Sequence, residues 1–263
     1  MAKFFPLFSG SEGNSTYIGD ANGGVLVDAG VSFKRIKTAL EGEKISLDSI
    51  KAVLITHEHN DHVKGLKVLL KNINVPVIAS RQTIYALEFH KIIDYLTDRV
   101  YIDEMTEFCI DGIKIERFAT SHDCEGSSCY TVTVGGDIKT AVCTDLGVMT
   151  DEIKEGLKGS RLIMLESNHD PVMLRLGPYP PELKIRIASD KGHLPNAICA
   201  STISWFYENG TDRFVLAHLS STNNTPEKAS SAARAALMDR GAGENTDYIL
   251  YIAKKEGNRV IPL

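Results

Sequence analysis

The stretch best equipped for chemistry is His57-Glu58-His59-Asn60-Asp61-His62-Val63, with the pattern H-x-H-x-D-H. Five of the six residues from His57 to His62 can bind a metal ion, take up a proton, or both. Imidazole nitrogen combined with carboxylate oxygen suits zinc, with manganese or iron as alternatives. His57 and His59, two apart at the end of a strand, are expected to project to one side. Asp61 and His62, one step later in a tightening turn, would address a second position a few ångströms away. One short segment would then serve two ions, the arrangement that clamps the attacking and leaving oxygens of a hydrolysis. Such a centre needs further ligands, and three residues after predicted strands are candidates: His122, Asp145 and His218. Singly each is ordinary, since an Asp after a strand is usually a turn or cap residue. Their weight comes from occurring together with the motif.

The elements that must position these residues are legible in outline. Ala52–Thr56 is an apolar run leading into the motif, and a helix-like stretch, Val63 to Lys71, follows it. Lys3–Phe8 and Ser15–Ile18 read as paired strands around Ser9-Gly10-Ser11-Glu12-Gly13-Asn14. Gly10 and Gly13 there can take positive φ, and a loop of this kind can turn its N–H groups toward an anion. Val25–Asp28 reads as a buried strand, Phe33–Leu40 as a helix, Val75–Ala79 as a strand and Arg81–His90 as a helix. Asp111-Gly112 marks a hairpin between strands at 107–110 and 113–118, and Gly135-Gly136-Asp137 a second between 128–134 and 138–144. Later come strands at Leu162–Glu166 and Phe214–Leu219 and helices at Pro195–Asn209 and Thr225–Asp239, the last with Thr225 as N-cap and Pro226 in the first turn. Tyr248–Ala253 and Arg259–Ile261 are expected to form a closing hairpin. With no linker or internal repeat evident, this order predicts one layered α/β domain over residues 1–263.

Bulk properties narrow the field. At 263 residues the chain can bury a substantial core, and its 43% hydrophobic content is that of a globular protein. A formal charge of −5 argues against binding nucleic acid through overall charge alone, though not against a nuclease whose bound cations dominate the local field. The five cysteines, at 109, 124, 129, 143 and 199, follow no framework spacing and read as reduced thiols of a cytoplasmic protein. The short apolar start is broken by Pro6, and no stretch approaches a membrane span.

H-x-H-x-D-H after a strand, followed by a later His, an Asp after a strand and a final His, resembles the metallo-β-lactamase superfamily. The resemblance covers nearly the whole chain and implies a four-layer αββα sandwich. By position it implies that His57, His59 and His122 hold a first metal, that Asp61, His62 and His218 hold a second, and that Asp145 bridges them. Asp at the bridging place is similar to the glyoxalase, lactonase and nuclease branches, whereas zinc β-lactamases have Cys there. Cys143 lies two residues early for that role and reads as core.

Four further stretches narrow the resemblance: Phe8–Ser15, Glu166-Ser167-Asn168-His169-Asp170, Ser189–Asn196, and Ala217-His218-Leu219-Ser220 before Asn223-Asn224. Together they resemble the WalJ (YycJ) family of bacterial metal-dependent exonucleases acting on duplex DNA. The layout is also similar to the tRNA-processing endonuclease RNase Z, but no counterpart of its tRNA-gripping arm is evident, which favours DNA over RNA. The implied activity is two-metal phosphodiester hydrolysis with Zn2+ or Mn2+. Asp61 would orient the attacking water or accept its proton, and His193 would serve the leaving oxygen. His169, Asn14 and Ser11 are candidate substrate contacts, although Glu12, standing where a Ser is expected, argues against phosphate binding by that loop. Arg175, Lys184, Arg186 and Lys191 with Tyr179 form a stretch that suits a phosphate backbone and a stacked base. Two rivals use the same metals: hydrolysis of a lactone, thioester or cyclic phosphodiester, and RNA processing of the RNase Z type.

Overall fold

The computed structural model describes residues 1–104, 107–124 and 126–263. The chain divides into two compact units, the first comprising Met1–Arg117, Cys124–Ile138 and Lys254–Leu263, the second Phe118–Asp123 and Lys139–Ala253. No linker in the sequence announces these boundaries.

Unit 1 opens with three antiparallel strands, β1 (Lys3–Phe8), β2 (Ser15–Asp20) and β3 (Gly23–Val27), registered with Phe4 opposite Ile18 and Tyr17 opposite Leu26. Helix α1 (Phe33–Gly42) buries Ile36 and Leu40 and carries the chain across to β4 (Ile50–Leu54), which lies parallel to β3. Two short helices follow, α2 (Asn60–Val63) and α3 (Leu66–Leu70), where the sequence predicts one. The interruption has a physical cause: the Gly65 amide donates to the carbonyl of Ala29, 2.8 Å away, instead of extending α2. Next, β5 (Val77–Ala79), α4 (Arg81–Phe89) and β6 (Arg99–Tyr101) extend the sheet by parallel pairing. Strands β7 (Phe108–Ile110) and β8 (Ile113–Ala119) form the expected hairpin, with Asp111 and Gly112 at φ of 48° and 79° as its two-residue turn requires. Strand β9 (Ser128–Val134) completes this run, and Phe5, Leu7, Leu26, Val53, Ile55 and Leu66 lie in the unit's apolar core.

Unit 2 is built around parallel strands. β10 (Ile138–Cys143), α5 (Asp151–Leu157), β11 (Leu162–Glu166), α6 (Pro171–Leu176), α7 (Pro181–Ile187), α8 (Asn196–Glu208), β12 (Arg213–Ala217), α9 (Pro226–Met238) and β13 (Ile249–Ile252) follow in order. The strands pair in parallel as β10-β11-β12-β13, with Ile163 aligned to Phe214 and Phe214 to Leu250. β11 is buried along its whole length, as expected of a strand covered on both faces. Thr225 caps α9 as predicted, accepting from the Lys228 amide.

The expected closing hairpin does not form. β13 takes β12 as its partner, while β14 (Ile261–Pro262) pairs antiparallel with β1 of unit 1, Phe4 opposite Ile261. Each segment thus ends as the edge strand of a different sheet. The Asn258 side chain closes the Lys254–Asn258 turn instead, accepting from the Lys254 amide and donating to its carbonyl, both at 2.8 Å.

Candidate active site

In unit 1 the H-x-H-x-D-H motif lies just past the buried end of β4, in a loop that tightens into α2 with His59 at its N-cap. Thr56 and Asp28 organise it. Asp28 sits in the left-handed region (φ 62°) and accepts from the Thr56 amide at 2.8 Å and the Thr56 hydroxyl at 2.9 Å. Its Oδ2 is also 2.8 Å from His62 Nδ1. Burial raises the Asp28 carboxyl pKa against the opposing pull of His62 and Thr56. A proton on His62 Nδ1 shared with Asp28 leaves Nε2 as the ligand nitrogen, the tautomer a metal site needs. Thr56 Oγ1 lies 3.0 Å from His57 Nδ1, and His57 Nε2 lies 3.1 Å from His59 Nδ1. The outward nitrogens of these two histidines therefore converge, as their spacing predicts.

The glycine loop braces this motif. Asn14 donates its amide N–H to the Asp61 carbonyl, and Gly30 donates to that of Asn14, both at 2.8 Å. The Asn14 side chain accepts from Gly10 N–H at 2.9 Å and stands 3.1 Å from His62 Nε2. A Cβ on Gly30 would lie 1.7 Å from the Asp61 carbonyl oxygen, so only glycine permits this approach. Gly10 and Gly13 do take positive φ, but the amides of Gly10, Gly13 and Asn14 are spent within the unit. These three amides are therefore not available to an anion. Ser11 is exposed, and Glu12 pairs with Lys255. The Asp61 side chain is 27% exposed, open to a reactant from solvent.

In unit 2 the carboxyl ends of adjacent parallel strands carry the chemistry, the place where open α/β sheets bind ligands. Asp145 follows β10, Glu166 ends β11, and His218 follows β12, with Asp145 and His218 at φ of 62° and 53°. Glu166 is the hub. Its Oε1 lies 2.8 Å from His193 Nδ1 and 2.7 Å from His218 Nδ1, while Oε2 accepts from the amides of Leu194 (3.0 Å) and Leu146 (3.3 Å). Burial opposes ionisation of Glu166, yet the two histidines outweigh it and hold the carboxyl far below its usual range. Burial likewise opposes charge on His193, but the charge and hydrogen bond of Glu166 prevail and raise its pKa. Asp145 Oδ1 lies 3.4 Å from His218 Nδ1 and 3.8 Å from His193 Nδ1.

His122 is buried, which lowers its pKa, and its Nδ1 faces the Gly192 carbonyl at 3.2 Å. Its ring stands 5.1 Å from that of His193. His169 is buried with no hydrogen-bond partner for Nδ1, and burial lowers its pKa too. Around it, Ser167 donates to Asn196, Asn224 donates to the Ser167 and Asn168 carbonyls, and Asn168 donates to the His218 carbonyl. Three stretches distant in sequence are stitched together there.

These donor sets fit divalent cations. Ligand atoms within 4.8 Å of one another are contributed by His57, His59 and Cys124 in unit 1, and by Asp145, Glu166, His193 and His218 in unit 2. Nitrogen, carboxylate and thiol donors of this kind are those that zinc and its neighbours take. Sequence reasoning missed Asp28, Thr56 and Glu166 as supports and Cys124 as a neighbour of the histidines. Asp28-Ala29-Gly30 reads there as a plain strand end, and Glu166 only as part of a longer stretch.

Residues 24–219 match the family model described as "Beta-lactamase superfamily domain". The chain is 37% identical over 241 residues to "Exodeoxyribonuclease YycJ" of Bacillus anthracis, spanning 91% of this chain and 90% of that protein. It is 34% identical to "Exodeoxyribonuclease WalJ" of Streptococcus pneumoniae, spanning 95% and 93%. Among solved structures, Zn2+-bound PqqB from Methylobacterium extorquens is similar with a TM-score of 0.72 over the whole of both chains, at 17% identity. That likeness concerns the fold alone, and the fold is the α/β sandwich expected from the sequence.

Proposed function

The chain belongs to the beta-lactamase superfamily, and from that premise we propose that this metallohydrolase is a DNA exonuclease acting on duplex DNA. The observation that carries the proposal is the identity, over nearly the whole of each chain, to two proteins named exodeoxyribonucleases. The fold implies divalent metal ions, and we assign two, zinc or manganese, to His57, His59, Asp61, His62, His122, Asp145 and His218. Bound there, two such ions would supply a water of near-neutral pKa and positive charge for the phosphoryl oxygens. Asp61, partly exposed, orients the attacking water or accepts its proton.

His193 is assigned to the departing oxygen. Glu166 raises its pKa against burial, which favours its role as the proton donor to the departing oxygen. Glu166 Oε1 fixes the ring through Nδ1, which directs Nε2 outward. His169, Ser11 and Asn14 remain assigned to the substrate side, Asn14 through the bracing of Asp61 and His62 and Ser11 from the exposed loop. Arg175 and Lys191, both exposed, meet the phosphate backbone. We assign the protein to the cytoplasm and treat residues 1–263 as one functional domain. No described helix is long and apolar enough to cross a membrane.

The test is nucleotide release from end-labelled duplex DNA, single-stranded DNA and RNA with Mn2+ or Zn2+, beside a panel of thioesters and lactones. Release from duplex DNA is expected. Turnover confined to thioesters or lactones transfers the protein to the small-molecule hydrolases, and a preference for RNA transfers it to the RNA-processing branch. His193→Ala is expected to cut turnover by about 10²–10⁴-fold with metal content retained, and loss of metal overturns its role.

A further inference from the structure

Every metal ligand expected from the sequence is a nitrogen or a carboxylate oxygen, yet unit 1 gathers a donor of another kind. The ligand atoms of His57, His59 and Cys124 lie within 4.8 Å of one another. The two imidazoles already converge, with His57 Nε2 3.1 Å from His59 Nδ1 and the rings nearly perpendicular at 78°. Cys124 is half-buried and in no disulfide. Its loop is anchored close by: the carbonyl of Gly126 accepts from Ser80 (2.8 Å), Thr83 (3.2 Å) and Ser128 (3.0 Å). Of the other cysteines, Cys129, Cys143 and Cys199 are buried in the core and Cys109 is exposed on β7.

Bond lengths set what this proximity means. Zinc binds imidazole nitrogen at about 2.0–2.1 Å and thiolate at about 2.3 Å, so two such ligands of one ion stand at most about 4.4 Å apart. At zinc's tetrahedral angle the same pair stands about 3.6 Å apart, so a spread within 4.8 Å leaves up to about 1.2 Å for a side-chain rotation to close. We propose that Cys124 Sγ is a ligand of the ion held by His57 and His59. A thiolate there softens the donor set, so the position selects zinc or cobalt over manganese and magnesium. This rests on the assignment of His57 and His59 as metal ligands and adds a residue that the H-x-H-x-D-H pattern does not contain.

The test reads the ligand directly. Full-length protein, stripped of metal by a chelator, is titrated with Co2+ and followed by absorption. An intense thiolate-to-cobalt charge-transfer band in the near ultraviolet is expected beside the weak visible bands of bound cobalt. Cys124→Ser and Cys124→Ala are expected to keep the visible bands and lose the charge-transfer band. Their zinc affinity relative to manganese should fall by about tenfold or more, the loss usual even for a group behind a ligand. Visible bands without a charge-transfer band in the unsubstituted protein overturn the role of Cys124 and leave the histidines as ligands. Survival of the charge-transfer band in both variants has the same consequence. Failure of the unsubstituted protein to bind cobalt overturns both assignments together.

Discussion

Glu166 is fully buried and makes four close contacts, so its chemistry is determined by what surrounds it. One oxygen serves both His193 and His218, the other is held by two backbone amides. Glu166→Gln keeps the shape but removes the charge that orients His193 and raises its pKa. Activity and metal affinity should fall by about 10–100-fold, the usual cost of losing a carboxylate behind a histidine. Turnover measured beside metal content checks this, and a variant with unaltered turnover removes Glu166 from the machinery. In unit 1 the corresponding point is Gly30. Gly30→Ala places a methyl 1.7 Å from the Asp61 carbonyl oxygen, and both partners are backbone, so the motif itself must move. The expected outcome is a lower unfolding midpoint and loss of bound metal in elemental analysis, whereas full metal occupancy would show that the turn yields without disturbing Asp61.

At the scale of elements, caps decide where the short helices begin. α6 and α7 both start with proline, at Pro171 and Pro181, and Asp170 caps α6 by accepting from the Met173 amide at 2.8 Å. The sequence reading passed over these helices and α5, because six or seven residues carry too little periodicity to separate a helix from a loop. The signals were present in Asp170-Pro171 and in Thr150 before Asp151 and Glu152. The Met173 amide and then Lys228 hold the Asp170 carboxyl below its usual pKa. A depressed carboxylate pKa contributes stability above the unfolded-state value, which is lost as pH falls through the folded-state value. Asp170→Ala should therefore cost about 1 kcal/mol at pH 7, and the gap should close below about pH 4. Urea unfolding at the two pH values measures it, and a gap independent of pH would assign the effect to something other than the charged cap.

For the whole molecule, bound ions contribute to stability as well as to turnover, because a ligand that binds only the folded chain shifts the equilibrium toward it. Chelation should abolish activity and lower the unfolding temperature. Zinc or manganese at a hundred times its dissociation constant should restore about 2.7 kcal/mol per ion, read by calorimetry; an unfolding temperature indifferent to chelator would mean that no ion is held tightly. The sequence by itself determined the motif, the order of most elements, the fold class and the family, because these are written in local spacing: H-x-H-x-D-H, the turn at Asp111-Gly112, and apolar runs of strand and helix length. Tertiary structure alone decided that β14 pairs with β1 while β13 joins β12, that Asp28 and Thr56 stand behind His62, that Glu166 joins His193 to His218, and that Cys124 comes beside His57 and His59. Apart from Thr56 beside His62, each of these joins residues between 27 and 259 positions apart, and no periodicity carries a partner across such a distance; it is fixed only when strands find their register and burial leaves each polar group one place to bond.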